Sequence, residues 1–312
     1  MSGMTLIVDR RGAGLSLSDS GILRVQYGEE THRVGLQALQ QLLLVGEVEL
    51  TTWVLRACLE AGVSVALMSR RGRGETVHLF PPGPTPFALR HAQHLHYHHP
   101  ASRLRLARLW VIAKLRQQQL WLDAHGLDGA GLERFVIAAQ TAPDHAALMG
   151  EEGAGSARYF EQWGKLWQAP WKFVHRSRRP PRDPVNALLS LSYTLALHSI
   201  GRQATRRGLE AAIGFLHTPL RGRPSLALDL LEPLRPWVDQ WVWQWLHGDG
   251  NTLTPDAFDC NPAEGCRLNR DGRALYFAAW FRAEQDWLQA PLRSALALLL
   301  KALRRPYEPT VE

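Results

Sequence analysis

Cysteine is scarce in this chain of 312 residues, which holds only Cys58, Cys260 and Cys266. An odd, sparse set argues against a disulfide framework and suits a reducing compartment. Cys260 and Cys266 are near neighbours, yet no second pair stands at zinc-finger spacing, so no structural zinc is expected there. Long apolar runs are missing as well. The run in the opening "MSGMTLIVDRRG" is far too short for a signal sequence, and no stretch approaches the ~18 residues of a membrane span. A cytoplasmic protein without a membrane partner is expected. There is no Gly-rich phosphate loop ending in Lys-Ser/Thr, no dinucleotide fingerprint and no Gly-x-Ser-x-Gly elbow. Nothing therefore points to ATP use or to an acyl-enzyme. Internal repeats and low-complexity blocks are also absent.

What is present is a globular composition, 46% hydrophobic, with 36 Lys and Arg against 29 Asp and Glu. The formal net charge of +7 favours a polyanionic partner, nucleic acid before membrane.

Two regions differ in pattern. Residues 1–80 read as mostly β. "TLIVDR", "GLSLS", "GILRVQY", "HRVGL" and "QLLLVG" are short apolar or alternating runs broken by Gly and Asp-Ser-Gly. One helix interrupts them, "LTTWVLRACLEAG", with Thr51 or Thr52 as N-cap and Gly62 as its stop. Then "PPGPTP" sets four prolines in six residues, which no helix interior or central strand tolerates. Residues 81–87 read as a linker. From about residue 88 to 304 the pattern is helical, and the expected helical domain covers residues 88–312. The expected helices include one from Ser102 to Gly126, made basic by Arg103, Arg105, Arg108, Lys114 and Arg116. Another starts at Asp183-Pro184 and stops at Gly208, and a last one covers roughly 271–304, before a frayed tail. The fold class is α+β: a small N-terminal β domain with one helix, a linker, and a larger all-α domain.

Several constellations admit two readings. Asp229 and Glu232, three apart, share a helix face and suit two oxygen ligands, or else form a helix start of the capping-box kind. His217 lies at a bend between Gly214 and Pro219, where an imidazole is either packed or aimed at a nearby helix. Glu151 and Glu152 sit among Gly150, Gly153, Ala154 and Gly155, as helix-start acids or as a ligand. "WKFVHRSRRPPRDP" interleaves Lys172, Arg176, Arg178, Arg179 and Arg182 with Trp171 and Phe173, a pattern of phosphate and base contact or of a solvated loop. "RHAQHLHYHHP" crowds His91, His94, His96, His98 and His99 together without evident partners for a metal site. Trp237, Trp241 and Trp245 form a stripe at helical spacing that suits core or interface.

Taken together, these blocks resemble the CRISPR-associated protein 1 family. The resemblance runs through "LIVDRRGAGLSLSDSGILRV", "LLLVGEVELTTWVLRACLEAGVSVALM", "RLRLARLWVIAKLRQQQ", "LMGEEGAGSARYF", "GLEAAIGFLH" and "RPSLALDLLEPLRPWVD", in the family's order over nearly the whole chain. It implies an α-helical catalytic domain behind a β domain that pairs in a homodimer, two homodimers being bridged by a dimer of CRISPR-associated protein 2. It implies a site of Glu152, with Glu151 as the one-residue alternative, together with His217 and Glu232, holding Mg²⁺ or Mn²⁺. Asp229 would be the accessory acid. Gly155-Ser156 stands where many members carry Ala-Ala. The implied activity joins the 3′-hydroxyl ends of short double-stranded DNA into a CRISPR repeat by transesterification, with Lys172, Arg176, Arg178, Arg179 and Arg182 as DNA contacts. A metal-dependent nuclease on branched or single-stranded DNA is one competing reading. A non-catalytic nucleic-acid-binding scaffold is the other.

Overall fold

The structure is a computed structural model that describes residues 4–69, 76–82, 86–248 and 252–305. Residues 70–75, the centre of the linker at 83–85 and the tail at 306–312 lie outside the described residues. The chain divides into two compact units, residues 1–86 with 201–210, and residues 87–200 with 211–312.

The first unit carries β1 (Met4–Val8), β2 (Ala13–Leu17), β3 (Ile22–Tyr27), β4 (Glu30–Gly35), β5 (Leu39–Val45), β6 (Val48–Leu50), α1 (Thr52–Glu60), β7 (Ser64–Met68) and β8 (Val77–Leu79). They form two four-stranded sheets, ordered β1-β5-β7-β8 and β4-β3-β2-β6. β5 lies between β1 and β7, parallel to both. Its residues are buried on both faces, which is why "LQQLLLV" reads as an apolar run and not as an alternation. β3 alternates: Leu23 and Val25 are buried while Arg24 and Gln26 face out. Of the two candidate threonines, Thr51 caps α1, accepting from the Val54 N–H at 3.4 Å. Val54 and Cys58 on α1 join Leu15, Leu23, Leu42 and Val65 in one apolar core.

The second unit begins with α2 (Phe87–His98) and α3 (Pro100–Ala124), followed by α4 (Glu133–Thr141), α5 (His145–Trp163) and α6 (Pro184–Arg206), the last of which counts with this unit as far as residue 200. α3 starts earlier than expected. Pro100 occupies the first turn, where its missing N–H costs nothing, and His99 Nδ1 accepts from the Ser102 N–H at 3.1 Å. Ser102 instead meets His96 Nδ1 at 2.5 Å. His96 and His99 are thereby absorbed into the α2–α3 corner.

The remaining elements are α7 (Ser225–Leu231), a 3₁₀ turn (Glu232–Leu234), α8 (Arg235–His247), β9 (Phe258–Asn261), β10 (Gly265–Leu268), α9 (Arg270–Trp287) and α10 (Gln289–Leu303). The single last helix expected over 271–304 is two. Pro291 lacks the N–H that would continue α9, and its ring opposes the carbonyl four residues back, at Trp287, where α9 ends. β9 and β10 add a hairpin to the helical unit. It sets Cys260 directly opposite Cys266, with Cα atoms 3.9 Å apart, and joins them in a disulfide. The scarcity of cysteine argued against a disulfide framework, and the hairpin register brings this one pair together. Of the tryptophan stripe on α8, Trp241 packs edge-on to Trp280 at 4.9 Å, while Trp237 stays 37% exposed.

Candidate active site

α3 runs through the middle of the helical unit and shows an unusual residue on its buried face. Leu106, Trp110, Lys114, Gln118 and Leu122 follow one another at four-residue spacing and all are buried. Lys114 is only 2% exposed. A lysine there needs a partner. It has two, hydrogen-bonding Glu152 Oε1 of α5 and Glu232 Oε2 at 2.8 Å.

Glu152 reaches Lys114 because α5 lies close against α3 and α4. Gly155 makes that approach possible: a Cβ there would fall 2.5 Å from Leu115 Cδ2 and 3.3 Å from Phe135 Cβ. Ser156, one turn beyond Glu152, donates its hydroxyl to Glu152 Oε1 at 3.0 Å. Glu151 projects roughly 100° away around the helix, so Glu152 is the acid that faces α3.

The segment Gly214–His217 is folded around one carboxylate. Asp229 of α7 is fully buried. It accepts from the backbone N–H groups of Phe215, of Leu216 at 2.9 Å and of His217 at 2.8 Å. Its Oδ1 also lies 2.9 Å from His217 Nδ1. A carboxylate oxygen accepts, so Nδ1 is the donor here and Nε2 is the nitrogen turned the other way. Nε2 stands 3.9 Å from Glu232 Oε1. The capping-box reading of Asp229 and Glu232 is not realised: Asp229 lies within α7, and Glu232 begins the following 3₁₀ turn.

Glu232 is held from its other side by Arg235, whose Nε lies 3.0 Å from both carboxylate oxygens. Burial alone would push the Glu232 carboxyl up. The charges of Arg235 and Lys114, with the hydrogen bond from Lys114, outweigh it and hold the group well below the usual carboxylate range. Arg235 and Arg176 both lie against the ring of Tyr193, at 4.6 and 5.6 Å from its centroid. The Tyr193 hydroxyl donates to the buried Asp239. Desolvation pushes the Asp239 carboxyl up to about 6 against the opposing pull of Tyr193, Arg176 and Arg235.

One imidazole nitrogen and two carboxylates from three separate segments form a donor set suited to Mg²⁺ or Mn²⁺. Asp229 supplies the outer support that such an imidazole ligand normally has. Among the described residues, however, no three His, Cys, Asp or Glu side chains close around a single point. The Lys114 ammonium stands between two of the three. Lys114 was read from the sequence only as one of several basic residues on a long helix. Its place in an apolar row at four-residue spacing is the signal that could have singled it out.

The basic segment before α6 separates into two parts. Trp171 and Phe173 are core residues, each 5% exposed, so neither offers a ring to a base. Arg176 turns inward, donating to the Ser177 carbonyl, to Asn186 Oδ1 at 2.7 Å and to Ser190 Oγ at 3.1 Å. It is a strut of the loop and not an open phosphate contact. Lys172, Arg178, Arg179 and Arg182 are exposed, Arg182 donating to the Pro262 carbonyl. A cavity of about 360 Å³ reaches Glu152 and is bounded by Ser156, Phe160, His175, Arg176 and Arg178.

The sequence matches the family described as CRISPR associated protein Cas1 across residues 6–282. A CRISPR-associated endonuclease Cas1 of Thermus thermophilus is 36% identical over 272 residues, covering 86% of this chain and 83% of that protein. Two solved structures share the fold. A casposase bound to an integration product superposes with a TM-score of 0.83 at 18% identity, covering 99% of this chain and 94% of that one. A Cas6-RT-Cas1–Cas2 complex gives 0.81 at 24% identity, over 96% of this chain and 35% of that one. Among the described residues no helix is long and apolar enough to cross a membrane.

Proposed function

This chain belongs to the CRISPR-associated Cas1 family, and from that premise we propose that it is a metal-dependent DNA integrase of CRISPR adaptation. The observation that carries the reading is that Glu152 and Glu232 share the Lys114 ammonium while His217 Nε2 stands 3.9 Å from Glu232, with Asp229 fixing the imidazole from behind. Glu152, His217 and Glu232 would hold Mg²⁺ or Mn²⁺, which when bound supplies Lewis-acid polarisation of a phosphate oxygen.

In the reaction, the 3′-hydroxyl oxygen of a short DNA forms a bond to phosphorus at the edge of a repeat. The bond from that phosphorus to the displaced 3′-oxygen breaks. The attacking hydroxyl gives up its proton and the leaving oxygen takes one, so no external energy source is needed. The chain's own part is positional. Asp229 fixes the tautomer and aim of His217, and Arg235 keeps Glu232 in one orientation. The exposed Lys172, Arg178, Arg179 and Arg182 suit the phosphates of double-stranded DNA. A homodimer bridged by a dimer of CRISPR-associated protein 2 is the assembly this reading expects, in keeping with the Cas1–Cas2 complex among the structures of like fold.

The test is strand transfer. Labelled duplex with 3′-hydroxyl or 3′-dideoxy ends is mixed with a leader–repeat plasmid, Mn²⁺ or Mg²⁺, and wild type or Glu232→Gln protein. Label entering the plasmid only with wild type, metal and a free 3′-hydroxyl is the expected result. Nicking that is the same for both ends would establish the nuclease reading instead. Equal behaviour of wild type and Glu232→Gln would refute the site.

A further inference from the structure

Lys114 is a second cation in a site whose donor set is built for a different one. Its ammonium contacts Glu152 and Glu232 together and is almost wholly sealed from solvent. Glu152 and Glu232 carry two negative charges, and Lys114 and Arg235 carry two positive ones. These two carboxylates are therefore each ion-paired without any metal, while Asp229, behind His217, is held by backbone N–H groups. A divalent cation entering between these carboxylates meets two fixed positive charges within a few ångströms, in surroundings that screen them poorly. One of them has to give way.

The structure distinguishes which. Arg235 lies against the Tyr193 ring, with its Nε at 3.0 Å from both oxygens of Glu232, and comes from the very next turn of chain. A guanidinium so stacked is fixed in place. Lys114 is a point charge on a flexible four-carbon stem, reaching the carboxylates from a separate helix. We infer that the Lys114 ammonium is the resident counter-ion of this site, holding Glu152 and Glu232 together until a divalent cation displaces it. Lys114 is thus a positioning residue that sets metal affinity and keeps the carboxylates from repelling each other in the metal-free protein. The inference rests on Glu152 and Glu232 being metal ligands, as proposed above.

The deciding experiment uses the full-length protein. Mn²⁺ binding is followed by electron paramagnetic resonance in wild type, Lys114→Met and Glu232→Gln. In wild type carrying ¹⁵N-lysine, the Lys114 Nζ resonance, assigned with Lys114→Arg, is followed during Mg²⁺ titration. The expected results are at least tenfold tighter Mn²⁺ binding by Lys114→Met, at a site that Glu232→Gln lacks, and loss or large displacement of the Lys114 resonance as Mg²⁺ saturates. Lys114→Met should also melt below wild type without metal and recover with Mn²⁺. An unchanged Lys114 resonance at saturating Mg²⁺ overturns the exchange, and so does Mn²⁺ binding by Lys114→Met no tighter than wild type. If Lys114→Met does not fold, the resonance alone decides. If neither wild type nor Lys114→Met shows a Mn²⁺ site sensitive to Glu232→Gln, the metal reading itself falls, and the exchange with it.

Discussion

His217 Nδ1 and Asp229 Oδ1 lie 2.9 Å apart, and the same carboxylate accepts the His217 backbone N–H at 2.8 Å. One buried acid thereby fixes both the main chain and the ring of this histidine. Its role is to decide where Nε2 points.

Replacing Asp229 by Ala should strip three backbone N–H groups and the imidazole of an acceptor that is itself fully buried. Each unsatisfied donor costs about 1–3 kcal/mol, so a loss of at least about 3 kcal/mol is expected in urea unfolding. Asp229→Asn keeps the shape and should cost less stability, yet lower strand transfer by 10–100-fold, as disturbed outer support of a ligand does. Full activity in Asp229→Asn would show that the ring needs no such support.

Gly214 and Gly153 should respond in opposite directions to alanine. At Gly214 a Cβ would fall 2.7 Å from the Ser225 carbonyl carbon and oxygen and 2.9 Å from the His217 oxygen, all backbone atoms. Nothing there can move cheaply, so Gly214→Ala should destabilise by about 3 kcal/mol. A Cβ at Gly153, inside α5, meets nothing within 4 Å. Gly153→Ala should stabilise by about 0.5–1 kcal/mol through helix propensity. Thermal and urea unfolding of both variants checks the pair.

Arginines of the basic loop should separate by mechanism. Arg176→Ala removes the bonds to Asn186 and Ser190 and should lower the melting temperature. Arg178→Ala and Lys172→Ala should leave stability within about 0.5 kcal/mol of wild type and weaken DNA binding. Each should also flatten the salt dependence of that binding by about one counter-ion. Affinity measured at several salt concentrations decides, and an unaltered slope for Arg178→Ala would remove it from the interface.

Asp239 gives the protein a pH dependence of defined sign. Its carboxyl is raised from an ordinary value of 3.8 to about 6 by burial. Between those values the folded protein holds a proton that the unfolded chain has released. Stability from this group is therefore full below pH 4 and is lost as pH rises to about 6. Two units correspond to about 3 kcal/mol. Relative to Asp239→Asn, wild type should lose up to that amount in urea unfolding between pH 4 and 6.5, and the gap should stay level above. A gap independent of pH would place the proton elsewhere.

The sequence by itself determined the division of pattern and most of the element types. Alternation in "GILRVQY" and the apolar run in "QLLLVG" are local consequences of one-sided and two-sided burial, so they can be read without the fold. Pro100 and Pro291 likewise set helix ends through covalent geometry alone, although the reading missed both: a capping serine and a continuous apolar pattern concealed them. The spacing of Asp229 and Glu232, the bend at His217 and the small residues around Glu151 and Glu152 brought these forward as candidates, and the family resemblance grouped Glu152, His217, Asp229 and Glu232 into one site, but neither could say how they are held together. That needed the close approach of α5 to α3 at Gly155 and the turn of Gly214–His217 around Asp229. Only tertiary structure decided that Arg176 points inward while Arg178 points out, because four arginines in one loop are locally equivalent. Only it turned Lys114 from a basic helix residue into the counter-ion of two acids 38 and 118 positions away. Charge pairing across such distances depends on which helices pack, and packing is fixed by burial of whole faces. No short stretch of sequence contains that information.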